Sequence, residues 1–98
     1  MRYAEAAHLI QSELLVDDVR LVILRPQSER GPEANLLGFR PSGERIWALS
    51  PPTDAPAVWD GFVKFWVRDG QVWVGSWSGF SLRIDHRTGE VIEQVFTK

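Results

Sequence analysis

Cysteine is absent from the 98 residues. Neither disulfides nor thiolate metal sites are therefore available, and the fold must be held by burial alone, a demanding condition at this length. Histidine is scarce: His8 and His86 lie in different halves with no His-x-x-x-His spacing. Both read as surface or turn residues, and no metal centre is expected. There is no basic excess either, since eleven Lys and Arg face thirteen Asp and Glu for a net charge of -2, without a run of one sign. That balance argues against nucleic acid as a partner. No apolar run approaches about 18 residues, and the stretch after Met1 is interrupted by Arg2, Glu5, His8 and Gln11. Neither export nor membrane spanning is expected, and the cytoplasm is the expected location.

Catalytic patterns are missing too. Gly75-Ser76-Trp77-Ser78-Gly79 superficially resembles a serine-hydrolase elbow, but that motif leads from a strand into a helix and here another strand follows. Asp54, Asp60, Asp85 and Glu90 offer no obvious carboxylate pair, and turn chemistry accounts for Asp85 and Glu90. No Gly-rich phosphate loop opens a helix. No catalytic residue and no cofactor is expected, and the chain reads as a non-enzyme.

What is present is the material of an antiparallel β domain. Hydrophobic residues at 44% and charged residues at 24% suit one packed domain over residues 1–98. Phe62 to Gly75 carries two aromatic and β-branched runs around Asp69-Gly70, the pair that supplies the positive φ values of a type I′ hairpin turn. Leu14 to Leu24 has a weaker hairpin pattern around Asp17-Asp18. Asn35 to Leu49 and Phe80 to Phe96 break at Ser42-Gly43 and Thr88-Gly89. Three prolines over residues 50–58 form a stiff linker between the halves, since proline cannot donate to a ladder.

The halves, about 10–49 and 61–97, repeat each other. Val16, Leu21 and Ile23 map onto Val67, Val72 and Val74 at an offset of 51, and Leu37 and Phe39 onto Leu82 and Ile84 at 45. Gly43, Glu44 and Ile46 then fall on Gly89, Glu90 and Ile92 at 46. The architecture expected is all-β: eight antiparallel strands in two four-stranded meanders, closed as a sandwich or a partly closed barrel. Tyr3, Ala7, Ile10 and Leu14 have helical spacing, whereas the repeat register makes Gln11 to Val16 a strand. The expectation is a strand from about residue 10 after a short helical turn.

Ile84-Asp85-His86-Arg87-Thr88-Gly89-Glu90 is similar to the strand-turn-strand motif of quinoprotein-type β-propeller blades, where Asp, Thr-Gly and a Trp four residues after the Gly recur. Gly43 has that Trp at Trp47; Glu93 replaces the second Trp, and Arg40-Pro41-Ser42 departs from the Asp and Thr of the motif. The resemblance implies blade-like four-stranded sheets and carries over no quinone-binding or catalytic residue. Two blades do not close a ring, so the sheets must pack on each other or several chains must assemble.

Five tryptophans are the remaining signal. A two-residue turn at Asp69-Gly70 pairs Trp66 with Trp73 and puts Phe62, Lys64, Trp66, Trp73, Gly75 and Trp77 on one face. Val63, Phe65, Val67, Val72 and Val74 take the other. A tight turn at Ser78-Gly79 places Phe80, Leu82 and Ile84 beside Trp73 and Trp77. The Trp-bearing face is then either inter-sheet core or an aromatic platform with Lys64 as its polar handle. On this reading Trp73 belongs to the core and Trp77 is a partly exposed contact. The expected function is a non-catalytic protein-binding module, of which a small immunity or antitoxin-type protein is one form, using Trp77, Lys64, Trp66, Trp73 and Phe62. The alternative is a small-ligand or carbohydrate-binding protein using the same face. The expected partner is another protein or a second copy of the chain.

Overall fold

The computed structural model describes residues 1–53 and 57–96. Asp54 and Pro56 of the expected linker, and Thr97 at the end of the second repeat, lie outside them. The described chain forms two four-stranded antiparallel sheets, each a meander in sequence order. The first holds β1 (Ile10–Val16), β2 (Val19–Leu24), β3 (Leu36–Phe39) and β4 (Arg45–Leu49). The second holds β5 (Phe62–Arg68), β6 (Gln71–Ser76), β7 (Phe80–Ile84) and β8 (Val91–Phe96). A helical turn α1 (Tyr3–Ala6) and a 3-10 turn (Ala7–Leu9) precede β1. The Glu5 carboxylate accepts the Arg2 backbone N–H at 2.8 Å and so satisfies a donor at the start of α1.

The sheets pack face to face. Val19, Leu21, Ile23, Leu36 and Trp47 from the first share one core with Phe62, Val72, Val74, Leu82 and Ile84 from the second. Strands β2 to β7 supply these side chains, largely by period-2 alternation, and their burial is the main force joining the sheets. Trp47 is the large piece of this core, 8% exposed, and it fits because two glycines flank it. A Cβ at Gly38 would fall 2.4 Å from its Cε2, and one at Gly89 2.7 Å from its Cδ2. The indole N–H donates to the His86 carbonyl at 2.9 Å, which ties β4 to the turn between β7 and β8. At the same end, His86 Nε2 lies 2.8 Å from the Asp17 carboxylate in the turn between β1 and β2.

The two outer faces differ. On the first sheet, Val22, Leu24, Leu37 and Phe39 point away from the inter-sheet core and form a second core with Ala6, Tyr3, Leu9 and Ile10. The N-terminal turns thus cover that face, with the Tyr3 ring edge-on to Phe39 at 5.6 Å. In the second sheet no described segment plays this part.

The repeat needs one correction. Val72 pairs with Ile84 and Val74 with Leu82, as Leu21 pairs with Gly38 and Ile23 with Leu36. By pairing, β3 therefore corresponds to β7 at an offset of 46, not 45, and Leu36 rather than Leu37 is the counterpart of Leu82. Leu37 and Phe39 face the helical turns, whereas Leu82 and Ile84 face the other sheet.

Candidate functional site: the outer face of the second sheet

The site starts at a turn. Asp69 (φ 51°) and Gly70 (φ 74°) both take the left-handed conformation, which matches the twist of a two-residue hairpin and fixes the register on either side. Val67 therefore pairs with Val72, Trp66 with Trp73 and Arg68 with Gln71. Val67 and Val72 point to the inter-sheet side, so the two tryptophans point out.

Two local irregularities decide what joins them, and both overturn the expected faces. Phe62 pairs with Ser76 while Lys64 pairs with Gly75, so Val63 is an extra residue on β5. This bulge rotates Phe62 to the inner side, where it is 1% exposed. Phe62 is core and not part of the platform. The link from β6 to β7 is the three-residue loop Trp77-Ser78-Gly79, closed by a Gly79 N–H bond to the Ser76 carbonyl at 3.2 Å. Gly79 then adopts φ 105°. One residue more than a tight Ser78-Gly79 turn shifts the pairing by one and reverses the face of every β7 side chain. Phe80, Leu82 and Ile84 consequently lie on the core side, and Trp73 pairs with Arg83. Trp73 is thus half-buried on the outer face, not a core residue.

The outer face consists of Lys64, Trp66 and Arg68 on β5, Gln71, Trp73 and Gly75 on β6, Ser81 and Arg83 on β7, and Glu93 and Val95 on β8. The indoles of Trp66 and Trp73 stack nearly parallel, 10° between planes with centroids 6.1 Å apart. Gly75 provides the floor. A Cβ there would meet Lys64 Cε at 2.9 Å and Trp66 Cζ3 at 3.3 Å, so only glycine lets both side chains lie down across β6. The Lys64 ammonium sits 5.4 Å from the Trp66 ring centroid, in range of a cation–π contact. Arg83 bridges Glu93 at 3.2 Å and donates to Gln71 at 3.4 Å. Between them is a shallow depression of about 390 Å³ lined by Trp66, Arg68, Trp73, Ser81, Glu93 and Val95.

The structure therefore brings together three of the five expected residues, Lys64, Trp66 and Trp73. Trp77 is 54% exposed in the β6–β7 loop, with Trp59 as its ring neighbour at 6.3 Å. Ser81, Arg83, Glu93 and Val95 escaped the sequence reading because their membership depends on the β6–β7 register, whereas Arg68, two residues after Trp66 on β5, follows from the same alternation and was missed. Ser76 and Ser78 are bound into the scaffold. The Ser78 hydroxyl donates to the buried Asp60 carboxylate at 2.5 Å, and Ser76 Oγ accepts the Phe80 N–H at 3.0 Å. Asp60 also accepts the backbone N–H groups of Gly61 and Ser78. Its burial reflects loop organisation.

A second depression, about 270 Å³, lies among Asp18, Arg40, Ile46 and Arg87 at the end of the sandwich. Arg87 is already engaged there by Asp17 at 3.2 Å and Asp18 at 3.7 Å. Among the described residues, no group of three or more His, Cys, Asp and Glu could hold a metal ion. Among the same residues, no helix is long and apolar enough to cross a membrane.

Fold and site together define a two-layer all-β domain with one outer face covered by its own N-terminus and the other bearing a stacked tryptophan pair. The chain belongs to the family described as Domain of unknown function (DUF7957), whose model matches residues 4–96. No curated protein and no solved structure matches it.

Proposed function

We propose that this chain is a cytosolic, non-catalytic protein-binding module whose recognition surface is the outer face of the second sheet. The asymmetry of the two outer faces carries the reading. The chain uses its N-terminal turns to bury the apolar outer face of the first sheet, yet Trp66, Trp73 and Val95 on the second remain accessible. An aromatic centre within a rim of Lys64, Arg68, Gln71 and Arg83 has the composition of a protein interface, where tryptophan supplies affinity and charged groups supply orientation. A small immunity or antitoxin-type protein is one form such a module takes.

A second reading, carbohydrate or small-ligand binding, draws on the near-parallel indoles and the adjacent ammonium group. One experiment separates the two. Affinity capture from the native cell is run with the wild-type chain and with Trp73→Ala, and each captured protein is then purified and titrated directly. Protein binding predicts a partner that wild type binds and the folded variant does not. Tryptophan emission that responds to simple sugars, with no such partner, would favour the second reading.

A further inference from the structure

We propose that the outer face of the second sheet takes an acidic protein segment, seating an apolar side chain between Trp66, Trp73 and Val95 and its carboxylates on Lys64 and Arg68. This deepens the protein-binding reading above and rests on it. The whole chain carries a net charge of -2, but this face does not share that sign. Its strand positions hold Lys64, Arg68 and Arg83 against the single carboxylate of Glu93. Glu93 is spent on Arg83, at 3.2 Å. Among the described residues neither Lys64 nor Arg68 makes an ion pair.

The two free cations are placed to be used. Lys64 lies across Gly75 with its ammonium over Trp66, and Arg68 lines the depression that Trp66 and Trp73 flank. A carboxylate approaching Lys64 meets a positive charge whose stem already rests across Gly75 and Trp66, where desolvation costs less than for a free side chain, and Arg68 offers a second, exposed cation at the rim of the depression. Charge complementarity of this kind steers encounter and sets register, while the aromatic centre supplies affinity. A second copy of the chain is a poor occupant for the same reason. A two-fold interface sets the same patch against itself, so two net-positive faces, each with three cations and one carboxylate already paired, would meet.

The test is a selection of random short peptides displayed on phage against the intact chain, with counter-selection on Trp73→Ala. Enriched peptides are expected to be net acidic with one aromatic or aliphatic anchor. A synthetic peptide of the enriched sequence should bind the Lys64→Glu, Arg68→Glu double variant at least about tenfold more weakly, and bind wild type more weakly as salt rises. Both substitutions are at exposed positions, and an unchanged melting temperature checks the fold. Enriched peptides that are neutral or basic, or that ignore the charge reversal, overturn the acidic partner while leaving protein binding intact. Adsorption to phosphatidylserine vesicles without peptide enrichment, or a homodimer that Trp73→Ala dissolves, also overturns it. Failure to enrich any peptide that survives the counter-selection defeats the protein-binding reading itself.

Discussion

The side-chain amide of Asn35 pairs with both backbone groups of Phe62, accepting its N–H at 2.8 Å and donating to its carbonyl at 2.9 Å. It also donates to the Leu24 carbonyl at 3.1 Å. One buried carboxamide thus acts as a short piece of ladder between the entry to β3 and the start of β5, two segments of different sheets. Asn35→Ala should leave these buried groups without partners and cost about 2 to 4 kcal/mol, since each unmatched buried polar group costs roughly 1 to 3. Urea unfolding measures this, and a midpoint equal to wild type contradicts the assignment.

The tryptophans should divide into two stability classes. Trp47, enclosed between Gly38 and Gly89, should cost about 3 to 5 kcal/mol on truncation to alanine. Trp73→Ala, which loses a half-buried cross-strand stack, should cost nearer 1 to 2 kcal/mol. Thermal unfolding of the two variants checks the order, and equal losses would place both indoles in the same environment.

At the hairpin turn the expected effect is purely a backbone one. Nothing lies within 4 Å of a Cβ built at Gly70, whose φ is 74°. Gly70→Val should therefore cost about 1 kcal/mol or more, because a β-branched residue resists positive φ even in open space. Gly70→Asn, which tolerates the left-handed region, should recover most of it. If the two variants melt together, the type I′ geometry is wrong.

Acrylamide quenching should report the exposed indole. Trp77 is 54% exposed and Trp47 8%, so Trp77→Phe should remove the readily quenched part of the emission and Trp47→Phe the protected part. The reverse pattern would mean that the β6–β7 loop packs inward.

These residues also show how far a sequence can be read. Asp69-Gly70 has few conformational choices, so the Trp66–Trp73 pair follows directly from it. Alternation and turn chemistry similarly yield eight strands in two meanders. Face assignments farther from the Asp69-Gly70 turn fail because each depends on a count of single residues. The extra Val63 in β5 and the third residue of Trp77-Ser78-Gly79 each shift register by one and exchange the two faces. Nothing in the residue types marks a bulge at Val63. The roles of Asn35 and Asp60 were invisible for a different reason: Asn35 binds backbone groups of Leu24 and Phe62 and Asp60 binds Ser78, partners on distant segments that leave no trace in local composition.

The central claim is that the Trp66–Trp73 face is a surface for a protein partner, and isothermal titration calorimetry of the purified captured partner tests it most directly. Wild type should bind, and Trp73→Ala should lose at least about 2 kcal/mol of binding free energy, roughly thirtyfold in affinity, while remaining folded. Equal affinity for wild type and a folded Trp73→Ala variant would place the partner elsewhere on the molecule and contradict the account.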